Sequence, residues 1–255
     1  MTILGADDEG KLRALLDSLG YDLEPSILIG GWATNARVGG EISHDIDLII
    51  TEQSLRQRLP ERLTEYSENA LHSGGKKARG NADGVHVDAY FPHESKLGNK
   101  LRLDVAVLTN YVDPNFKVEG WFMLTLDAHI ATKIAALIDR HSTEKGKKDA
   151  RELVALIDKG GDAEKVIEVL IAASDGPKED VVVYIRTMFE LLPKLAGLNQ
   201  KQRRHYADLA REWSEEARRQ TGGFETQHQE PTLPPSPATP PVSGTKARRN
   251  GSSRR

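Results

Sequence analysis

The stretch GGWATNARVGGEISHDIDLII, residues 30–50, holds two aspartates inside a segment that otherwise reads as a buried β-strand. Aspartate is a poor strand former. Residues two apart on a strand point to the same side, so Asp45 and Asp47 share one face. Adjacent carboxylates repel each other unless a cation lies between them. The pattern therefore favours a site for a hard cation such as Mg²⁺, which prefers one or two carboxylates together with substrate phosphates.

The residues before the acid pair favour this interpretation over the simpler one, a strand end with two solvated carboxylates. Gly30 and Gly31 follow the apolar run SILI and precede a short helix that begins near Trp32. A glycine pair lets the backbone approach phosphate oxygens, and a helix N-terminus attracts anions. Ser43 lies two residues before Asp45 and is within reach of the same phosphates. Adjacent elements are thus expected to supply a phosphate cradle and a metal-binding acid pair.

Composition limits the other functions open to the chain. It has 255 residues, a net charge of −3 and no cysteine. The lack of cysteine excludes disulfides, thiolate metal sites and cysteine nucleophiles, and it suits a reducing cytoplasm. The stretch MTILGADDEGKLRALL lacks the pattern of a signal peptide, and no apolar run is long enough to span a membrane. We expect a cytoplasmic protein with no membrane partner.

Hydrophobic periodicity predicts an α+β fold. Helices are predicted at residues 7–19, from Trp32 to Gly40, and at 52–68, and they flank a mixed sheet of about five or six strands. The predicted strands are SILIGG, DIDLIIT and residues 76–80, 85–91, 101–109 and 118–125. After residue 126 five amphipathic helices follow one another, which predicts a helical bundle.

The composition also divides the chain. We expect an α+β domain at residues 1–125, a helical domain at 126–220 and a disordered tail at 221–255 that is rich in proline and basic at its end. In the helical part, Lys133 and Asp149 lie on or beside the apolar stripes of the first two helices. Because buried charges tend to be paired, we predict that these two residues are in contact. The alternative is two separately solvated residues at the rim.

The opening stretch resembles a known group of enzymes. Gly-Gly, a short helix and then Asp-x-Asp on the next strand is the signature of the polymerase-β-like nucleotidyltransferase fold. The segment ILIGGWATNARVGGEISHDIDLII is most similar to the AbiEii/MenT-type toxin nucleotidyltransferases, which typically carry the motif G-G-x-A followed by S-x-D-I-D-L. The chain matches this pattern at Gly30, Gly31, Ala33, Ser43, Asp45, Ile46, Asp47 and Leu48. It departs at Glu41 and Ile42, where such relatives commonly carry an arginine, and Arg37 is the residue that would replace it.

A third carboxylate is expected, because two-metal nucleotidyl transfer generally uses one more acid to hold the second ion and activate the attacking hydroxyl. Asp88 in GVHVDAYFP and Asp104 in LRLDVAVLT are the two candidates on predicted strands. The stretch VHVDAYFPHESKLG resembles the family's strand, in which an aspartate precedes an aromatic residue, a proline and a serine-containing loop. This resemblance favours Asp88 and leaves Asp104 as a structural acid.

The resemblance, which covers roughly residues 25–157, also implies roles in the first two bundle helices. Family members carry K-x-x-A, then an arginine, then K-x-x-D or K-D on the next helix, and the matching residues here are Lys133, Ala136, Arg140, Lys148 and Asp149. It implies that Lys133 binds the nucleotide phosphates and that Asp149 orients this lysine. Lys145, Lys147 and Lys148 add positive potential suited to a triphosphate or an RNA end.

The function implied by the resemblance is a metal-dependent nucleotidyltransferase. Asp45, Asp47 and Asp88 would hold Mg²⁺ as a two-ion site, and Asp88 would act as general base. The NMP of an NTP would pass to an acceptor hydroxyl, expected at a tRNA 3′ end, and the protein would be a toxin with a separate antitoxin as partner. The alternatives are a small-molecule, antibiotic-type nucleotidyltransferase and a non-catalytic nucleotide-binding module on the same fold.

Overall fold

The computed structural model describes residues 6–41, 43–70, 75–118 and 120–222 of the chain. The strands are β1 (Ser26–Ile29), β2 (Asp45–Ile50), β3 (Thr64–Ala70), β4 (Lys76–Ala82), β5 (Val85–Tyr90), β6 (Lys96–Leu97), β7 (Leu103–Asp104), β8 (Val112–Val118) and β9 (Trp121–Leu124). The helices are α1 (Ala6–Leu23), α2 (Gly30–Val38), α3 (Gln53–Arg62), the single turn α4 (Val105–Leu108), α5 (Leu126–Arg140), α6 (Glu144–Asp158), α7 (Ala163–Ala173), α8 (Asp180–Leu195) and α9 (Gln200–Thr221).

Seven of these strands form one mixed sheet in the order β3-β4-β5-β2-β1-β9-β8. The central pair β2–β5 is parallel, as is β1–β9, whereas β1–β2, β4–β5, β3–β4 and β8–β9 are antiparallel. Strands β6 and β7 form a separate two-stranded ribbon. The predicted fold class, a mixed sheet with flanking helices followed by further helices, is confirmed.

The sheet is covered on both faces, and the alternation of β2 shows how. Ile46, Leu48 and Ile50 pack into a core that includes residues of α2 and α3. Ile49, on the opposite face, belongs to a second core that extends through α5–α9. Asp45 and Asp47 alternate with the first set, so they lie on the face that the helices α5 and α6 cover. Period-two alternation thus directs both carboxylates towards the helical layer.

Two sequence predictions of local structure are wrong. The predicted helix at 52–68 ends at Arg62, and Thr64–Ala70 forms strand β3, which pairs with β4 at the edge of the sheet. The predicted strand at 101–109 contributes only two residues to β7 before helix α4 begins. The reason is Asp104, whose side chain caps this helix by accepting a hydrogen bond from the Ala106 amide. The main sheet also has seven strands, because residues 112–124 form the hairpin β8–β9.

The five predicted helices after residue 126 are present as α5–α9. Side chains cap several of their N-termini, and these caps are Thr125, Thr143, Asp162 and Asn199. The predicted tail at 221–255 lies outside the described residues beyond Gly222. In the part of the chain that the structure describes, no helix has the length and apolar character needed to cross a membrane.

Candidate active site

The three predicted acids lie together because of strand register. Strand β2 pairs with β5. Asp47 of β2 lies directly opposite Asp88 of β5, and Asp45 of β2 lies opposite His86 of β5. Since residues two apart share a face, Asp45, Asp47 and Asp88 all lie on the side of the sheet that faces α5 and α6. Val87 and Ala89, the neighbours of Asp88, are fully buried on the other side.

The glycine pair lies against these acids. Gly30 has φ +70°, a conformation that side chains rarely adopt, and a Cβ atom added there would overlap the Asp47 carboxylate. A Cβ atom on Gly31 would lie 2.7 Å from Cβ of Ser43 and 3.7 Å from Nζ of Lys148. Asp47 and Ser43 can therefore lie this close to the start of α2 only because both positions are glycine. The predicted nucleotide-binding residues Gly30, Gly31 and Ser43 meet at one place beside Asp47.

Asp47 is the acid that lacks a counter-charge of its own. Among the described residues no cationic side chain lies within ion-pair distance of it. The pKa of Asp47 is raised to about 6, mainly by burial and next by the charge of Asp88, while Lys133 and Lys77 act in the opposite direction. A carboxylate that is costly to ionise in this way is suited to a bound cation. Asp45, by contrast, has a loose partner in Lys145 at 3.4 Å.

Asp88 is held in a different manner. Its Oδ1 accepts a hydrogen bond from Nε of Arg79 at 2.7 Å, and its Oδ2 accepts bonds from Nζ of Lys77 at 2.7 Å and Nη2 of Arg79 at 3.0 Å. Burial acts to raise the pKa of Asp88, but the bonds from Arg79 and Lys77 outweigh it and leave the pKa below its ordinary value. Both cations come from β4, the strand next to β5.

The helical side of the site carries a paired cluster. The predicted contact between Lys133 and Asp149 is confirmed at 3.6 Å, but the nearer partner of Lys133 is Glu152, at 2.5 Å. Asp149 accepts two hydrogen bonds from the Arg140 guanidinium, from Nε at 2.6 Å and from Nη2 at 2.9 Å. Lys133, Asp149 and Glu152 are at most 8% exposed. The cluster therefore satisfies its own charges and fixes Lys133 beside Asp47.

A cavity of about 300 Å³ opens between the strands and α5. Its walls include Gly30, Asp47, Tyr90, Asn99, Lys133 and Arg140. The loop on one side is fixed to α5, because the amides of Asn99 and Lys100 donate to the Asp139 carboxylate at 2.6 and 2.8 Å. The mixed lining of aromatic, amide and charged groups is typical of a small-molecule site. Gly31 and Ser43 lie outside the cavity, so the site has two adjoining parts.

Two other residues weighed in the sequence have structural partners. Asp104 caps α4, as described above, and lies in the small ribbon instead of the main sheet. Arg37 donates to the Leu124 carbonyl and lies 4.8 Å from the centre of the Phe116 ring. Its guanidinium is thus engaged away from the glycine pair, which does not fit the role of a replacement phosphate ligand.

Sequence reasoning did not single out Lys77, Arg79, Tyr90 or Glu152. The sequence does contain a signal for Lys77 and Arg79, because these residues alternate with Ala78 and Gly80 and so share one face of a strand. Glu152 follows Asp149 by three residues and hence lies on the same face of α6. What the sequence does not contain is the β4–β5 register, which sets Arg79 opposite Asp88.

The residues present fit a divalent cation at Asp45 and Asp47. The two carboxylates lie on the same face of β2 and supply oxygen ligands, and the Asp47 carboxylate lies directly against Gly30. Asp88 is adjacent, but its oxygens already accept three hydrogen bonds. Among the described residues no group of three His, Cys, Asp or Glu side chains is arranged to hold an ion.

The mixed sheet, the glycine pair before α2 and the acid pair on β2 are the features of a nucleotidyltransferase, and this chain is an enzyme of that class. It belongs to the family described as "Nucleotidyl transferase AbiEii toxin, Type IV TA system", whose model matches residues 13–237.

Solved structures with similar folds include other nucleotidyltransferases. The antibiotic-resistance factor ANT(2″)-Ia, solved in complex with adenylyl-2″-tobramycin, is 18% identical; the match covers 65% of this chain and 95% of that chain, with a TM-score of 0.42. An antigenic nucleotidyltransferase-like protein from Paracoccidioides brasiliensis is 16% identical over 61% of this chain and 78% of that chain, with a TM-score of 0.35. Neither likeness bears on the substrate of this chain. No curated protein sequence matches it.

Proposed function

We propose that this enzyme transfers the NMP of an NTP to the 3′ end of a tRNA in a metal-dependent reaction, as the toxin of a toxin–antitoxin pair. The observation that carries the metal dependence is the contrast within the site. Asp149 and Glu152 are paired with cations, whereas Asp47 is not and has a raised pKa. An acid that costs stability and has no ion-pair partner among the described residues is best explained by a ligand that neutralises it.

The chain's own residues divide the work of binding the NTP. The backbone N–H groups at the start of α2, at Gly30 and Gly31, would bind phosphate oxygens. Lys133 lies in the cavity wall beside Asp47 and would neutralise phosphate charge from the helical side. The cavity adjoining Asp47 would take the nucleoside. Asp45 and Asp47 would hold Mg²⁺, which when bound stabilises the charge that develops on the pyrophosphate leaving group.

Asp149 acts on Lys133 only indirectly in this proposal. It holds Arg140 by two short bonds and lies 3.6 Å from Lys133, so it would fix the direction of the lysine ammonium. The sequence-based roles of Asp88, as a metal ligand and a general base on the acceptor hydroxyl, would need one of its bonds to Lys77 or Arg79 to open.

A polyanionic acceptor is supported by the charges around the site. Lys145 is largely exposed at 3.4 Å from Asp45, and the side chain of Arg79 is 54% exposed next to Asp88. Exposed cations on both sides of the acids attract a nucleic acid end and would bring a terminal hydroxyl to the metal. The family to which the chain belongs comprises toxins of toxin–antitoxin systems, so we propose a separate antitoxin protein as a second partner.

The acceptor can be identified by label transfer. The protein is incubated with Mg²⁺ and each NTP labelled at the α-phosphate, together with total RNA or with a mixture of aminoglycosides, and Asp47→Ala and Asp104→Asn are run in parallel. We expect label in the tRNA fraction with the wild type and with Asp104→Asn, which retains a capping side chain, and none with Asp47→Ala.

Other outcomes lead to the alternatives. Label in a small molecule and none in RNA would replace the tRNA proposal with an antibiotic-type transferase. An absence of transfer under all conditions, unchanged by Asp47→Ala, would leave only a nucleotide-binding module on this fold.

A further inference from the structure

The side chains of one row across the sheet alternate in charge. Arg79 on β4 stands directly opposite Asp88 on β5, and Asp88 stands directly opposite Asp47 on β2. Lys77 lies two residues before Arg79 and therefore on the same face. Backbone pairing thus places both cations on the same face as Asp88, with Arg79 directly opposite it and Lys77 opposite Tyr90.

This arrangement occupies three of the roughly four lone-pair positions of the Asp88 carboxylate, and the two cations would repel an ion at the fourth. Its two oxygens accept three hydrogen bonds of 2.7 to 3.0 Å, and the residue is 8% exposed. Charge-assisted bonds of this kind, with a guanidinium bound through two nitrogens, are among the strongest in proteins. A two-ion site places its ions about 3.5–4 Å apart and needs carboxylates to bind both. A second ion near Asp88 would have to displace Lys77, Arg79 or both.

The carboxylates of Asp45 and Asp47, unlike that of Asp88, remain available to bind an ion. Among the described residues Asp45 has one ion-pair partner, Lys145, whose side chain is 71% exposed and 3.4 Å away, and such surface pairs are weak. Asp47 has no ion-pair partner among the described residues. One divalent ion therefore meets two available carboxylates, while the place of a second ion is already filled by positive charge.

We infer that this site works with one divalent ion, bound by Asp45 and Asp47, and that Lys77 and Arg79 supply the positive charge that a second ion provides in two-ion transferases. Asp88 is then a positioning residue that holds these two cations against the NTP phosphates, and it does not bind metal. This inference rests on the proposed metal-dependent transfer and replaces its expected two-ion site.

The count of bound ions tests the inference without any measurement of activity. Mn²⁺ bound per chain is measured by electron paramagnetic resonance in the presence of a saturating α,β-methylene analogue of each of the four NTPs in turn, since these analogues cannot release pyrophosphate. The variants are Asp47→Asn, Asp88→Asn, Lys77→Met and Arg79→Met, and Lys117→Met is the matched control, since its ion pair with Glu24 is on the surface. The affinity for the analogue is measured on the same samples by calorimetry.

We expect one Mn²⁺ per chain for the wild type, Asp88→Asn, Lys77→Met and Lys117→Met, and less than one for Asp47→Asn. Lys77→Met and Arg79→Met should weaken binding of the analogue about tenfold or more, since each removes a charged hydrogen-bond donor. Lys77→Met keeps both Arg79 bonds to Asp88, so it remains informative if Asp88→Asn fails to fold.

Two results would overturn the inference. The first is two Mn²⁺ per wild-type chain with one lost in Asp88→Asn. The second is an affinity for the analogue that neither Lys77→Met nor Arg79→Met changes. If the wild type binds neither Mn²⁺ nor the analogue, the proposed metal-dependent transfer itself fails, and the one-ion inference fails with it.

Discussion

The acids on the helical side of the site and the acid pair on β2 are embedded in opposite ways. Asp149 and Glu152 are buried, and each has a cation within 2.6 Å. Asp47 faces them from the sheet without such a partner, and its pKa is raised to about 6. Paired buried charges hold each other in place, whereas an unpaired one costs stability. The difference indicates that the helical cluster is part of the scaffold and that the acid pair on β2 is kept for a ligand.

The largest expected effect on stability comes from removing Lys133 from the buried ion-pair cluster on the helical side of the site. Among the described residues, Lys133→Met leaves Glu152 with only Lys148 at 3.8 Å, whereas Asp149 keeps Arg140, so we expect the free energy of unfolding to fall by about 2–4 kcal/mol. Urea unfolding at pH 7.5 measures this change. The control is the double variant Lys133→Met/Glu152→Gln, which removes the uncompensated carboxylate and should recover much of the stability without recovering transfer. A loss below about 1 kcal/mol in Lys133→Met would mean that the cluster is not a scaffold.

The next effect concerns the contact between the glycine pair and the acid. Gly30→Ala introduces a Cβ atom that overlaps the Asp47 carboxylate and strains a backbone at φ +70°. Gly39→Ala is the matched control, because Gly39 has φ +72° but nothing within 4 Å of an added Cβ. We expect a loss of about 1–2 kcal/mol from strain alone at Gly39 and about 2–4 kcal/mol at Gly30.

Thermal unfolding of the two glycine variants checks this comparison, and NTP binding sharpens it. Binding should weaken in Gly30→Ala and stay unchanged in Gly39→Ala. Equal behaviour of the two variants in both measurements would contradict the close approach of α2 to Asp47.

Removal of the unpaired charge of Asp47 should raise the free energy of unfolding, in contrast to the loss expected for Lys133→Met. Asp47→Asn removes a charge that is costly to bury, so we expect the metal-free protein to gain about 1–2 kcal/mol at pH 7.5. One pKa unit corresponds to about 1.4 kcal/mol, and partial exposure of the carboxylate reduces the effect. Because the folded pKa is raised above 3.8 to about 6, the native state binds the extra proton between these values, and wild-type stability falls as pH rises through them.

The gain in Asp47→Asn should therefore be complete above about pH 6 and vanish near pH 4. Chemical unfolding with a metal chelator at a series of pH values measures it. A loss of stability at pH 7.5 would show that Asp47 has an internal partner after all.

The smallest effect is expected at the acid that caps a helix. Asp104→Ala removes the bond to the Ala106 amide and should cost about 1 kcal/mol or less, with no change in transfer. Thermal unfolding and label transfer together check it. A variant that is stable but inactive would return Asp104 to the list of candidate third acids.

Much of the fold follows from local sequence pattern. Alternation in DIDLII and VHVDAY directs three acids to one face, and the five helices after residue 126 follow their apolar stripes. The failures occur where local preference is ambiguous. The stretch TEYSENA continues a charged helical pattern, yet it becomes a strand because pairing with β4 extends the sheet. The run VAVL is too short for periodicity to separate a strand from a helix.

Most candidate residues of the site could be predicted from the sequence, including Asp88 through the family resemblance, but most contacts between separate elements could not. Asp45, Asp47, Gly30 and Gly31 come from one continuous stretch, and Lys133 and Asp149 from two consecutive helices. The bonds from Lys77 and Arg79 to Asp88 depend on the pairing of β4 with β5. The bond from Lys133 to Glu152 depends on how α5 packs on α6. Such contacts between separate elements are set by tertiary packing and leave little trace in local pattern.

The most direct test compares Asp47→Asn with Asp104→Asn in single-turnover transfer from an α-labelled NTP to tRNA, at saturating Mg²⁺ and after both variants are shown to be folded. Removal of one metal-binding carboxylate is expected to lower the rate by about 10²–10³-fold or more. We predict that Asp47→Asn loses transfer while being more stable than the wild type, and that Asp104→Asn keeps the wild-type rate. Transfer by Asp47→Asn within tenfold of the wild type would contradict the account.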